Sequence, residues 1–131
     1  MKLLSALAVG LLLAGPVSAQ NWASEEITLL AKQGHSDFQL YIGNVYSINA
    51  LEASIEADDA EDAGAAASVV SAKNAEIARN FILAHVWYSL SVANGNTEAQ
   101  VNRAEVALDL TPEQLEEAQS RARICLKTNY K

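Results

Sequence analysis

The chain has 131 residues, enough for one domain with a modest core, and carries 16 Asp and Glu against 9 Lys and Arg, a formal net charge of −7. That balance argues against nucleic acid as a partner, whose phosphates call for a positive footprint, and against an anionic membrane surface. Half of the residues are hydrophobic, proline occurs only twice, and no run alternates with period two, so an all-α chain is expected.

Residues 1–19 (MKLLSALAVGLLLAGPVSA) have the layout of a secretory signal peptide. Lys2 supplies the positive start. The apolar run from Leu3 to Ala14 is too short to span a bilayer, Gly15-Pro16 breaks it, and Val17-Ser18-Ala19 is a small-residue cleavage site. Cleavage is expected after Ala19, leaving no membrane span. No Cys follows the apolar run to take a lipid anchor. The style of the leader is bacterial, and the expected destination is the periplasm or the medium. Residues 20–131 then form a single domain whose one thiol, Cys125, is either buried or paired between chains.

The first helix is expected over 22–33, with Ile27, Leu30 and Ala31 as its apolar positions and Trp22 near the exposed end. Ser24 is placed to cap it, and Glu25 and Glu26 suit the positive end of its dipole. Gly34 stops this helix, and Ser36 is placed to cap a second over 37–48 with Phe38, Tyr41, Ile42 and Val45 on one face. Gly43 inside that helix costs about 1 kcal/mol against Ala, which suggests a close neighbouring backbone.

Residues 51–72 differ in composition. Six acids fall between Glu52 and Asp62, no base appears before Lys73, and Asp62-Ala63-Gly64 marks a break. This acidic insert is expected to be exposed, helical at its start and mobile in its middle. It is either a solvated spacer or a recognition surface for a basic partner.

Helical character returns near Ala66. The stretch Asn80–Ala93 is apolar nearly all round, so it should pack on more than one side. Asn94-Gly95 ends it, and Asn96 or Thr97 caps a helix over 98–109. In the closing helix, Thr111 and Gln114 fit a capping box, with Pro112 at the first helical position. Leu115, Ala118, Ala122 and Cys125 line one face. Acids (Glu113, Glu116, Glu117) come early and bases (Arg121, Arg123, Lys127) late, matching the dipole. Tyr130 lies near the exposed end.

Catalytic chemistry finds little support. His35 sits in a turn, and His85 and Ser89 are one helical turn apart among apolar neighbours. Neither histidine has Cys or carboxylate at metal-ligand spacing. Ser-x-x-Lys, G-x-S-x-G and a Gly-rich phosphate loop are all missing. The acids at 56–62 lack the loop spacing and ordering glycine of an EF-hand. Trp87 and Tyr88 either anchor a ligand or pack between helices. No catalytic, cofactor-binding or metal-binding residue is therefore expected.

Two stretches align about their glycines: LLAKQGHSDFQLYIGNVY (29–46) and SVANGNTEAQVNRAEVA (91–107). Gly34 and Gly95 each close a helix and precede a second one, Gln39 pairs with Gln100, and Gly43 pairs with Ala104. The stretch with Phe81, Ala84, Trp87-Tyr88, Leu90, Ser91-Val92, Gly95, Ala99-Gln100 and Ala104 resembles a Sel1-like repeat, a relative of the tetratricopeptide class. Gly43-Asn44-Val45-Tyr46 looks like the Leu-Gly-x-x-Tyr segment of such a unit, and 110–123 looks like the closing helix of small exported proteins that carry them. The two glycines stand further apart than the family's unit of roughly 36–40 residues, and the acidic insert takes up the excess.

The resemblance implies an α/α solenoid of helical hairpins with a closing C-terminal helix. It also implies a non-catalytic scaffold that binds an envelope protein or peptide. A cell-wall-binding or β-lactamase-like envelope protein is one alternative, although the branch linked to penicillin binding staples its repeats with paired cysteines and this chain has Cys125 alone. A self-assembling structural protein is the other. With so few units to bury their faces, a homodimer is plausible.

Overall fold

A computed structural model describes residues 25–129. The leader expected at 1–19, Trp22, Ser24 and Tyr130 lie outside the described residues. Within them are five helices and no strand: α1 (25–32), α2 (Ser36–Asp62), α3 (Ala67–Ala93), α4 (Glu98–Ala107) and α5 (Pro112–Lys127). No described helix is long and apolar enough to cross a membrane.

Helix α3 is the hub, with α2, α4 and α5 all packed on it. Its near-continuous apolar character has a direct cause. Phe81, Ala84 and Tyr88 face one way and join Ala50, Ala99 and Val106 in one core. Ile82, Val86 and Leu90 face the other way and join Ala118 and Ala122 of α5 in a second, on which Trp87 and Cys125 also pack. Each set repeats at three or four residues, so one helix serves two cores.

The acidic segment is helical well past its start. Helix α2 runs unbroken through it to Asp62 and pairs with α3 along its length. Ala50, Ala53 and Ala57 are buried against α3, so a row of small side chains lets the two backbones approach. Glu52, Glu56, Asp58, Asp59, Glu61 and Asp62 are exposed, as expected, on the other sides. Lys73 ties the partners together through Glu56, and also lies 3.6 Å from Glu76. The break does come at Gly64, with φ +76°. The dominant hairpin is thus α2–α3, where the sequence pattern pairs α1 with α2 and α3 with α4.

The turn at Gly95 answers to its sequence. Gly95 N–H reaches the Val92 carbonyl at 3.0 Å and Asn96 N–H reaches the Ser91 carbonyl at 3.0 Å, a Schellman motif that needs the φ of +97° at Gly95. The same pair of bonds closes α1 around Gly34. Asn96 then caps α4, its Oδ1 accepting from Ala99 N–H at 3.1 Å. The capping box of α5 forms in both directions between Thr111 and Gln114. Ser36 does not cap α2; the N-cap residue is His35, without a side-chain bond. Ser36 instead offers its carbonyl to the Ser91 hydroxyl at 2.8 Å, which fastens the start of α2 to the end of α3.

Candidate functional site

The residues picked out by the glycine alignment take unequal places. Phe81, Ala84, Tyr88, Leu90 and Ala99 are buried, and Trp87 is half-buried. Gly34 and Gly95 form the two turns. The aligned pairs diverge: Gln39 is fully buried and Gln100 exposed, Gly43 is buried and Ala104 exposed. The reason is length. Helix α2 has 27 residues laid against α3, whereas α4 has 10 and turns one side to solvent.

What approaches Gly43 is not a backbone but the ring of Tyr88. A Cβ at Gly43 would lie 2.5 Å from two ring carbons. The phenol is locked at its far end, where its hydroxyl donates to Asn44 Oδ1 at 2.8 Å. The same oxygen accepts from Asn102 Nδ2 at 3.1 Å. Burial raises the Tyr88 pKa above its usual value, so the hydroxyl stays protonated and remains a donor. One side chain from each of α2, α3 and α4 is thereby joined at a single oxygen.

This triad lies in a groove of about 410 Å³. Phe81 and Tyr88 of α3 form its floor. Ser47, Ile48 and Leu51 of α2 form one wall, and Glu105, Val106 and Asp109 form the other, with the Asn44 and Asn102 amides joining the floor at the Tyr88 hydroxyl. The α2 wall continues outside it. Tyr41, Ile48 and Ile55 recur at seven-residue steps with Leu51 between them, and each is at least half exposed (50%, 54%, 61% and 53%). The spacing is that of a coiled-coil seam, here turned to solvent. Isolated exposed aliphatics need no explanation, but a row of four on one helix does. The sequence pattern concealed it, because helical periodicity reports apolar faces without saying which is covered.

No family model, curated protein or solved structure matches this chain. The site must therefore be judged on its own chemistry. A groove with an amide–phenol floor, aliphatic walls and carboxylates at its rim is suited to holding an amphipathic segment. Among the described residues, no group of three or more His, Cys, Asp or Glu side chains is gathered to hold a metal ion.

A smaller groove of about 280 Å³ lies between α4 and α5, lined by Arg103, by Arg123 and Gln119 of α5, and by Ser89 and Val92. Helix α4 thus turns Glu105 to one groove and Arg103 to the other. Beside the second groove, His85 is buried, with Nδ1 3.4 Å from Ser89 Oγ, a long contact for a nucleophile–base pair. Burial first, and the Arg103 guanidinium second, lower the His85 pKa from 6.5 to about 4.

The unfolded chain binds a proton at His85 below pH 6.5 that the folded chain resists until about pH 4. The contribution of His85 is therefore fully present above pH 6.5 and is lost as the pH falls toward 4. Urea unfolding at several pH values should give His85→Gln a shallower decline than the parent across that window. Parallel curves would mean that His85 titrates normally in the fold.

Proposed function

We propose that this chain is a non-catalytic interaction or scaffold protein of the bacterial cell envelope, binding its partner through the α2–α4 face. The observation that carries this is the uncovered seam of Tyr41, Ile48, Leu51 and Ile55 beside the groove. These four side chains are about half exposed, so covering them would recover about half of the roughly 1.5–3 kcal/mol that full burial of each is worth. The leader at 1–19 and the Sel1-like pattern of 80–126 point the same way for location and for role. A helical scaffold does not by itself fix a function, so the surface bears the weight here.

The test is crosslinking in the native cell, followed by mass spectrometry of what the tagged protein holds. One dominant partner should be recovered, and its yield should fall about tenfold with Leu51→Asp. Leu51 is half exposed, so Tm should stay within about 3 °C of the parent, and a surface charge there tests docking rather than folding. Equal recovery from the parent and the variant would sink the proposal. Recovery of the chain alone, lost with Leu51→Asp, would transfer the face to self-assembly.

A further inference from the structure

We infer that the occupant of the α2–α4 face is a cationic amphipathic helix of a partner protein. This rests on the docking role proposed above and adds the chemistry of what docks. Three observations converge on it.

The first is shape. From Ile48 the seam steps three residues to Leu51 and four to Ile55, with Tyr41 seven residues before Ile48, so its complement carries apolar anchors at helical spacing. A helix laid beside α2 and over the groove would cover Ile48 and Leu51 together. An extended strand would present alternating side chains and would find no sheet edge here, because the described residues are all helix and turn.

The second is charge. Helix α2 contains no Lys or Arg, and the acids Glu52, Glu56, Asp58 and Asp59 lie along the same turns as Leu51 and Ile55. Across the groove stand Glu105 and Asp109. The basic side chains nearby are engaged elsewhere: Lys73 with Glu56 and Glu76, and Arg103 in the groove between α4 and α5. An acidic helix would meet like charge beside Leu51 and Ile55 and again at Glu105 and Asp109. A basic one would meet opposite charge from Glu52, Asp58 and Asp59 at the C-terminal end of the seam and from Glu105 and Asp109 across the groove, the arrangement that steers encounter and fixes orientation.

The third is preorganisation. Asn44, Tyr88 and Asn102 are already bonded to one another, so the groove floor need not rearrange on docking. The partner then needs aliphatic anchors over the floor and its cationic side chains at the rim.

The test uses the purified protein and two synthetic 18-residue peptides. Both carry Leu at three- and four-residue spacing; one has Lys and the other Glu at the remaining charged positions. The Lys peptide should bind, and its Kd should rise about tenfold between roughly 50 and 300 mM salt, as exposed charges are screened. Glu105→Gln with Asp109→Asn should weaken it about tenfold, and Leu51→Asp should abolish it. The Glu peptide should not bind.

Equal binding of both peptides would overturn the cationic assignment and leave the docking face standing. Failure of both, while crosslinking in cells still depends on Leu51, would mean a different occupant on the right face. If binding of the Lys peptide and cellular crosslinking both ignore Leu51→Asp, the face itself is wrong. Light scattering showing a dimer that dissociates with Leu51→Asp would assign the face to a second copy and overturn the inference.

Discussion

Gly43→Ala should destabilise the protein by about 2 kcal/mol, although alanine is the better helix former. Two effects compete. In an exposed helix interior the change would gain about 1 kcal/mol. Here the new methyl would sit 2.5 Å from the Tyr88 ring, and overpacking of this kind costs roughly 1–3 kcal/mol. The upper end applies because the ring is held at both ends. Tyr88 is 2% exposed, and its hydroxyl is held by Asn44. Steric cost therefore exceeds propensity.

The sign is the informative part. When Tyr88 is first shortened to Leu, Gly43→Ala should become neutral or stabilising, and urea unfolding of the four proteins of this cycle measures the coupling directly. A stabilising Gly43→Ala in the parent background would mean that the ring moves aside easily. The same substitution should also weaken partner docking, since a displaced Tyr88 would open the bond to Asn44 on the groove floor.

Gln39→Leu is the second large effect, expected at about 1–3 kcal/mol. Gln39 is fully buried and works in two directions: its Nε2 donates to the Ala31 carbonyl of α1 at 2.9 Å, and its Oε1 accepts from Asn94 at 3.0 Å. Each lost hydrogen bond costs roughly 0.5–1.5 kcal/mol, since the Ala31 carbonyl keeps Gly34 N–H and Asn94 Nδ2 keeps the Leu90 carbonyl. The loss should be unevenly placed. Hydrogen exchange should rise most at 25–32, because α1 loses its tie to α2, while the α3–α5 core keeps its protection. Uniform loss of protection throughout the chain would show that Gln39 supports the whole fold rather than this junction.

Both residues expose the limits of an internal alignment. Gly43 and Gln39 drew notice as partners of Ala104 and Gln100, yet those two are exposed and hold nothing comparable. Shared spacing from a glycine locates a turn. It does not say how long the next helix runs or what lies across from it, and those decide whether a given residue is buried.

Local chemistry was legible where the forces are local. The stops at Gly34, Gly64 and Gly95, the capping box of Thr111 and Gln114, and the apolar stripe of Ala118 and Ala122 depend on neighbours within one or two turns, so composition and spacing were enough to place them. The two-sided packing of 80–93 was also visible, because a stretch apolar all round must be covered all round. The path of the acidic segment was not. Six carboxylates outweighed three alanines in any count of hydropathy, and the burial of Ala50, Ala53 and Ala57 against α3 becomes apparent only once the hairpin closes. The candidate site belongs to the same class. Tyr41, Ile48, Leu51 and Ile55 have the periodicity of a core face, and sequence alone gives no means of telling a covered face from a bare one. The tertiary structure made that decision: α2 turns Ala50, Ala53 and Ala57 inward, since small side chains allow the closer approach to α3, and Ile48, Leu51 and Ile55 are left facing water beside a groove rimmed with carboxylates.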